Sequence, residues 1–164
     1  GPMNANLAQL ARAYLVFANE GAMPSLKLFK NDSTPNNLQQ IFTPESTKRI
    51  AEILDSVASD NGSGYRAVIN GYSVAGKTGT AEMVIDGKYS KDGAKRTYFI
   101  GFSPAKNPKY IMAVRLDYPK KCFVSWDPTM RNRCEGSNSA SIAFQKAMKR
   151  ILINDPEIKS KFEG

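Results

Sequence analysis

An apolar strand is predicted to begin near residue 72 and to run directly into the polar segment Lys77-Thr78-Gly79-Thr80. These residues supply an ammonium group, two hydroxyls and a glycine, and the glycine lets a ligand lie against bare backbone. The combination suits recognition of a carboxylate and an acyl oxygen. Taken alone, the same residues are also typical of an ordinary strand end that enters a turn.

The residues around this segment extend the pattern. Lys-Thr-Gly is one of three motifs of the penicillin-recognising serine enzymes, the others being S-x-x-K and S-x-N. The accompanying segments are, in chain order, Leu7–Tyr14 with Ala18–Gly21, Gly62–Ala67, Gly71–Gly76, Thr97–Pro104 and Asn107–Val114. This order resembles the transpeptidase domain of class B penicillin-binding proteins, with its GTG-like loop, GY-VAGKTGTA strand, FIGF-P strand and NP-YI-AV strand. The resemblance covers roughly residues 6–117 and the final helix.

The resemblance implies that residues 3–164 are the C-terminal part of a peptidoglycan D,D-transpeptidase domain. Its fold would be α+β, with helices packed against an antiparallel sheet, as in penicillin-binding proteins and serine β-lactamases. In the whole enzyme, a serine outside this chain would attack the D-Ala-D-Ala stem peptide, and an amine of a neighbouring strand would resolve the acyl-enzyme. β-Lactams would mimic the donor and trap the serine. The family acts at the periplasmic, extracytoplasmic face of the bacterial inner membrane, with the anchor expected outside this chain and no cofactor expected.

The resemblance also assigns roles to the motif. Lys77 would add positive potential and hold the serine of the S-x-N motif, which favours proton transfer. The hydroxyls of Thr78 and Thr80 would donate hydrogen bonds to the carboxylate of the stem peptide or β-lactam. The backbone N–H of Thr80 would be one oxyanion donor, and Gly79 would keep the strand edge open to the ligand.

The nucleophile and the second motif are expected upstream of this chain. Ser59-Asp60-Asn61 matches S-x-N but follows a helix and lies in the glycine-rich loop before Lys77. Ser103-Pro104-Ala105-Lys106 matches S-x-x-K but follows Lys77, and its proline-bracketed turn does not place the serine and lysine one helical turn apart. We therefore interpret both strings as non-catalytic and expect the isolated chain to be inactive.

Length and composition fit one piece of a larger enzyme. The 164 residues allow one domain with a modest core, and 41% hydrophobic with 23% charged residues is typical of globular protein. No apolar run approaches the ~20 residues that a membrane-spanning helix needs. Gly1-Pro2 resembles the scar of a cleaved expression tag and is excluded from the fold.

The chain contains no histidine, which excludes Ser-His-Asp and Cys-His catalysis. With only two cysteines, a zinc site is not expected, and no metal is assigned. Acyl transfer would therefore need lysine as the base. The net charge of +8 is spread along the sequence rather than concentrated on one element with interleaved aromatics, so it indicates a solvated basic surface. Weak attraction to anionic envelope polymers or lipid headgroups is the alternative interpretation, and no nucleic-acid partner is expected.

Periodicity and capping signals predict the elements. Helices are expected at residues 5–19, from Thr43-Pro44 to about Ala58, and from Ser139 to before Pro156; strands are expected near 72–82, 97–103 and 109–117, with a short one at 25–29. The second helix should bury Ile50, Ile53, Leu54 and Val57, and the third carries Ala140, Phe144, Ala147, Met148 and Ile151 at helical spacing. Tyr110–Val114 is continuously apolar and is expected to be covered on both faces.

Two polar segments have open interpretations. Asp86-Gly87-Lys88 and Lys91-Asp92-Gly93 carry turn residues, and the excursion that holds them either rims the groove beside Lys77 or is a mobile hairpin tip. Residues 118–137 fit the family least and hold Cys122, Trp126 and Cys134. The cysteines could form a disulfide or remain free thiols. Trp126 is interpreted as a packing anchor for this loop rather than a ligand contact, with overhang of the active groove by the loop as the alternative.

Three rival functions remain: a serine β-lactamase relative, a non-catalytic envelope scaffold and a nucleic-acid module. Hydrolytic turnover would favour the β-lactamase relative, and a parent gene without S-x-x-K would favour the scaffold. Salt-dependent binding to generic DNA would favour the nucleic-acid module.

In the resembling family, further strands lie beside the one that matches residues 109–117. Without them an apolar edge would be exposed, so self-association by edge pairing or element exchange is expected, and the remainder of the domain is the natural partner.

Overall fold

The computed structural model describes residues 5–27, 29, 31, 33, 35–90, 94–120, 122 and 134–158. Within them the elements are α1 (Leu7–Ala18), β1 (Ala22–Met23), β2 (Gln39–Gln40), α2 (Pro44–Val57), a 3₁₀ turn (Tyr65–Ala67), β3 (Ala75–Glu82), β4 (Val84–Ile85), β5 (Lys88–Tyr89), β6 (Lys95–Ser103), β7 (Tyr110–Asp117) and α3 (Ala140–Ile153). Helices thus pack against an antiparallel sheet, which confirms the predicted α+β class.

The main sheet has three antiparallel strands in the order β3-β6-β7. Its register sets Lys77 opposite Ile100 and Thr80 opposite Thr97. The three long strands were all predicted, with ends that differ by up to three residues. The largest difference is at β3, because Gly71 turns the chain with a φ of 87° and Tyr72 only forms an isolated bridge to Ile69.

Two apolar clusters lie on opposite faces of this sheet. One contains Val74 and Phe99 with the α3 residues Ala140, Phe144, Met148 and Leu152. The other contains Ala75, Phe102 and Leu54, against side chains of α1 and α2. Because β6 is the central strand, Phe99 and Phe102 are both completely buried. We call these the α3 face and the α1/α2 face.

β7 is covered on both faces, as predicted, but it is less enclosed than β6. Met112 and Val114 pack toward the α3 cluster, and Ile111 packs toward the α1/α2 cluster. Residues 110–114 are nevertheless only partly buried. The reason is that β7 pairs only with β6 in the described part of the chain, so its outer edge has no neighbouring strand there.

α2 begins as predicted, with Thr43 as N-cap and Pro44 in the first turn, and the Thr43 side chain accepts a hydrogen bond from Ser46 N at 3.2 Å. The expected burial of Ile53 is wrong, because its side chain is 61% exposed. Thr47 is buried instead and donates its hydroxyl to Thr43 O and Pro44 O at 3.1 and 2.9 Å. These local bonds satisfy the hydroxyl, so α2 can turn Thr47 rather than Ile53 inward.

The other two helices lie where they were predicted. In α1, Asn6 caps the first turn and forms a reciprocal capping box with Gln9. In α3 the buried stripe differs from the expected one: Ser141 and Leu152 are buried, whereas Ala147 and Ile151 are exposed. The helix is therefore rotated slightly relative to the stripe expected from hydrophobic spacing alone.

The prediction of a strand at residues 25–29 is wrong. The structure describes residues 25–27 and 29 of this range, and none of these four is in a strand. A short pair instead joins Ala22 to Gln40 and Met23 to Gln39. Pro24 has no N–H to continue the pairing beyond Met23. At the hairpin, Asp86 and Gly87 adopt φ values of 49° and 76° between β4 and β5, as their turn chemistry predicts. Lys91-Asp92-Gly93 and Trp126 lie outside the described residues.

Candidate functional site

The Lys77–Thr80 segment lies within β3, at an edge of the main sheet as described. Side chains alternate along a strand, and Ala75 belongs to the α1/α2 face while Val74 belongs to the α3 face. Lys77 and Gly79 therefore lie on the α1/α2 face, and Thr78 and Thr80 share the α3 face. The two hydroxyls of the motif are thus side by side, on the face opposite the lysine stem.

The Lys77 ammonium group contacts the next residue of its own strand, Thr78. Its Nζ lies 3.2 Å from the Thr78 carbonyl oxygen and 3.3 Å from Thr78 Oγ1, and the side chain is exposed. One cation is therefore held beside a hydroxyl of the motif and a backbone carbonyl. Thr78 in turn lies opposite the buried Phe99, which fixes its backbone against the core.

Gly79 has a neighbour on the α1/α2 face that the sequence did not reveal. A Cβ atom at this position would lie 3.3 Å from Tyr98 Cβ and 3.6 Å from Tyr98 Cδ2. Tyr98 is the cross-strand partner of Gly79 and is partly buried. The glycine therefore makes room for the tyrosine side chain, which lies next to the strand edge and was not among the expected site residues.

Thr80 is attached to the turn that precedes α3. The Gly136 N–H donates to Thr80 Oγ1 at 3.0 Å. On the neighbouring strand β6, Thr97 lies directly opposite Thr80. Its buried Oγ1 accepts a hydrogen bond from Ser139 Oγ at 2.9 Å. Thr97, Gly136 and Ser139 were not among the site residues predicted from the sequence. The only signal was a glycine shortly before a helix start, which does not identify the strand that the turn meets.

Charged side chains continue the α1/α2 face beyond Tyr98. Asp117 accepts from Arg115 Nε at 2.7 Å and from Arg96 Nε at 2.9 Å. The hydrogen bonds from Arg115 and then Arg96, with their positive charges, hold the pKa of the Asp117 carboxyl well below its usual value. Two guanidinium groups thus share one carboxylate, so this group of three side chains carries a net positive charge on the α1/α2 face.

The two strings that imitate catalytic motifs do not form a nucleophile–base pair with each other or with Lys77. Ser59 is exposed after α2 and donates its hydroxyl to Ser56 O at 2.6 Å. Ser103 is fully buried and donates to Ser73 O at 2.7 Å, while Lys106 lies exposed in the following turn. Both hydroxyls serve the local backbone, which agrees with their interpretation as non-catalytic.

Cys122 and Cys134 are joined as a disulfide, with Cα atoms 5.5 Å apart across a sequence separation of 12. Cys134 is buried and lies two residues before Gly136. The bridge therefore ends next to the turn that holds Thr80. The state of these two sulfur atoms in the cell stays a prediction.

The described residues include no group of three or more acidic, histidine or cysteine side chains able to hold a metal ion. None of the helices in the described ranges has both the length and the apolar character required to cross a bilayer.

The chain matches the family model described as the penicillin binding protein transpeptidase domain over residues 1–149. It is 39% identical over 116 residues to the probable peptidoglycan D,D-transpeptidase PbpC of Pseudomonas aeruginosa, covering 71% of this chain and 20% of that protein. It is 32% identical over 149 residues to the peptidoglycan D,D-transpeptidase FtsI of Buchnera aphidicola, covering 88% of this chain and 24% of that protein. The chain thus spans between a fifth and a quarter of these two relatives.

Solved structures agree with the sequence relatives. The apo transpeptidase domain of Burkholderia pseudomallei penicillin-binding protein 3 superposes with a TM-score of 0.68 at 30% identity, covering 94% of this chain and 44% of that one. A peptidoglycan glycosyltransferase structure from Burkholderia ambifaria gives 0.69 at 29% identity, covering 94% of this chain and 43% of that one. Together with the family model and the curated relatives, these similarities show that the chain belongs to the penicillin-binding protein transpeptidase family, as part of a class B transpeptidase domain.

Proposed function

We propose that this chain supplies the donor-binding edge of a serine-type peptidoglycan D,D-transpeptidase, with Lys77, Thr78, Gly79 and Thr80 receiving the D-Ala-D-Ala stem peptide or a β-lactam. The observation that carries the proposal is the grouping of two hydroxyls and one ammonium group on an edge strand, with Lys77 Nζ 3.3 Å from Thr78 Oγ1. The names of the relatives PbpC and FtsI point to the same reaction.

Carboxylate recognition follows from the side-chain alternation. Thr78 and Thr80 are two residues apart on one face, about 6.5 Å along the strand, so both hydroxyls can donate to a carboxylate placed between them. Lys77 adds a positive charge beside Thr78. An anionic ligand is therefore attracted to this edge.

The backbone of β3 supports an oxyanion role for Thr80. Lys77 Nζ donates to the Thr78 carbonyl oxygen at 3.2 Å, from which we infer that this carbonyl points away from β6. In an antiparallel pair, alternate residues direct both N–H and C=O to the same side, so the Thr80 N–H points outward with the Thr78 carbonyl. An outward N–H beside a carboxylate site is well placed to stabilise the oxyanion of an acyl donor, a contribution of roughly 3 kcal/mol.

The nucleophile in this proposal is a serine outside the 164 residues, activated by the lysine of its own S-x-x-K motif. Lys77 would hold the serine of the S-x-N motif and so favour proton transfer. The remainder of the domain would meet the open edge of β7 and complete the sheet. The reaction would take place outside the cytoplasmic membrane, where peptidoglycan is cross-linked.

The test is covalent labelling of the full-length protein by a fluorescent penicillin. Lys77→Ala should slow acylation by at least about a hundredfold, the scale of a lost proton-transfer contribution. Lys149→Ala, on the exposed side of α3, is the matched control and should label at the wild-type rate. Equal rates for wild type and Lys77→Ala would overturn the role of the motif, and rapid hydrolytic turnover would instead indicate a β-lactamase.

A further inference from the structure

The turn Glu135–Ser139, here called the docking turn, lies over β3 and β6 at one cross-strand pair. Its Gly136 N–H donates to Thr80 Oγ1 at 3.0 Å, and its Ser139 hydroxyl donates to Thr97 Oγ1 at 2.9 Å. Thr80 and Thr97 face each other in the β3–β6 register. The docking turn therefore contacts both members of the pair that contains the last residue of the proposed binding motif.

Gly136 approaches the sheet more closely than any residue with a side chain could. A Cβ atom there would lie 2.6 Å from the carbonyl oxygens of both Gly79 and Tyr98 and 2.9 Å from Gly79 N. All three are backbone atoms of a paired rung, so they cannot move aside as the end of a flexible side chain could. A larger residue must lift the docking turn and lengthen the bond to Thr80.

The docking turn is held in place by its own hydrogen bonds. Glu135 N donates to Asn138 Oδ1 at 2.7 Å, and Ser141 N donates to Gly136 O at 2.9 Å at the start of α3. The Ser139 hydroxyl also contacts Glu135 O. The Gly136 N–H is thus presented to Thr80 from a pre-formed turn.

We propose that Gly136 is a positioning residue that orients the Thr80 hydroxyl toward the carboxylate of the donor. A hydroxyl has one proton to donate and two lone pairs that accept. Because one lone pair of Thr80 Oγ1 accepts from Gly136 N–H, rotation of the hydroxyl is restricted and its proton is directed away from the docking turn. The accepted bond also polarises the hydroxyl, which strengthens its donation to an anion. This inference rests on the proposed binding of the carboxylate at Thr78 and Thr80.

The test compares a fluorescent penicillin with its methyl ester, which lacks the carboxylate charge, as acylating agents of the full-length protein. Wild type should prefer the free acid. Gly136→Ala should reduce that preference by about ten- to a hundredfold, the range for one hydrogen bond to a charged group, while labelling by the ester changes little. Leu152→Ala, in the buried stripe of α3, is the control for lost stability and should leave the acid-to-ester ratio unchanged. An unchanged ratio in Gly136→Ala would overturn the proposal.

Thr80 variants keep the proposal testable if Gly136→Ala does not fold. Thr80→Val removes the hydroxyl and should lose the same preference, whereas Thr80→Ser should keep it. Hydrogen exchange of the shortest peptide covering Gly136, followed by mass spectrometry, should be at least tenfold faster in Thr80→Val than in Thr80→Ser. Equal exchange in the two variants would show that Thr80 does not hold the Gly136 N–H. If wild type is labelled by neither compound, it is the proposed function that fails.

Discussion

The Tyr110 hydroxyl donates to Asp155 Oδ2 at 2.6 Å and so joins the first residue of β7 to the turn that follows α3. Lys109 Nζ lies 2.8 Å from the same carboxylate oxygen. The hydrogen bonds from Lys109 and then Tyr110 lower the pKa of Asp155 from 3.8 to about 2. They connect two elements that are distant in sequence at the end of the sheet away from Thr80.

The Asp155 carboxylate makes the stability of the fold depend on pH. Because the folded-state pKa of Asp155 lies below its unfolded value, its contribution is complete well above pH 4 and is lost as the pH falls toward 2. Tyr110→Phe should lower Tm by roughly a few degrees at neutral pH. The Tm difference between this variant and wild type should become smaller at acidic pH, where Asp155 is protonated. Tyr89→Phe, on an exposed hairpin strand, is the control for thermal unfolding and should match wild type. A Tm difference for Tyr110→Phe that is the same at pH 2 and pH 7 would contradict this role.

Phe99 and Phe144 pack against each other within the α3 cluster. Their ring centroids are 4.6 Å apart and both side chains are fully buried. Phe99→Ala should lower the free energy of unfolding by about 3–5 kcal/mol, since it leaves a cavity in the core between the central strand and α3. Phe29→Ala, at a side chain that is 76% exposed, should change it by less than about 0.5 kcal/mol in the same urea titration. Equal effects of the two changes would show that the α3 cluster does not stabilise the chain.

The cysteines provide a prediction about covalent structure. Protein folded under oxidising conditions should show Cys122 and Cys134 linked in unreduced peptide mass spectra. Reduction should destabilise the fold by about 3 kcal/mol in the chain-entropy model for a loop of this size. Two freely alkylated thiols after oxidative folding would contradict the bridge.

The open edge of β7 provides a prediction about assembly. The described part of the chain places no strand beside it, so isolated chains should pair through this edge or exchange an element. Sedimentation of the 164-residue chain should therefore show concentration-dependent association, whereas full-length protein, with the edge covered, should not associate in this way. A strictly monomeric profile of the isolated chain at high concentration would count against it.

The sequence predicted those features that depend on local signals. Thr43-Pro44 located the start of α2, and the apolar runs located β6 and β7, because caps and hydrophobic periodicity act over a few residues. The burial of Thr47 in place of Ile53 was missed, since the rotation of a helix depends on what it packs against.

The contacts of the site were missed for a related reason. Gly136 and Thr80 are 56 positions apart, and Ser139 and Thr97 are 42 apart. No local pattern specifies such a pairing, and it emerges only when α3 folds back over the sheet. The motif itself was visible in the sequence, but the turn that holds its last hydroxyl was not.

We propose that the chain carries the recognition edge of a penicillin-binding enzyme and that the nucleophilic serine lies outside these 164 residues. The most direct measurement is intact-mass spectrometry after incubation with penicillin, performed on the full-length protein and on the 164-residue chain. The full-length protein should gain one penicilloyl group on a serine upstream of this chain, and the isolated chain should gain none. Stoichiometric acylation of the isolated chain, abolished by Ser59→Ala or Ser103→Ala, would contradict the claim.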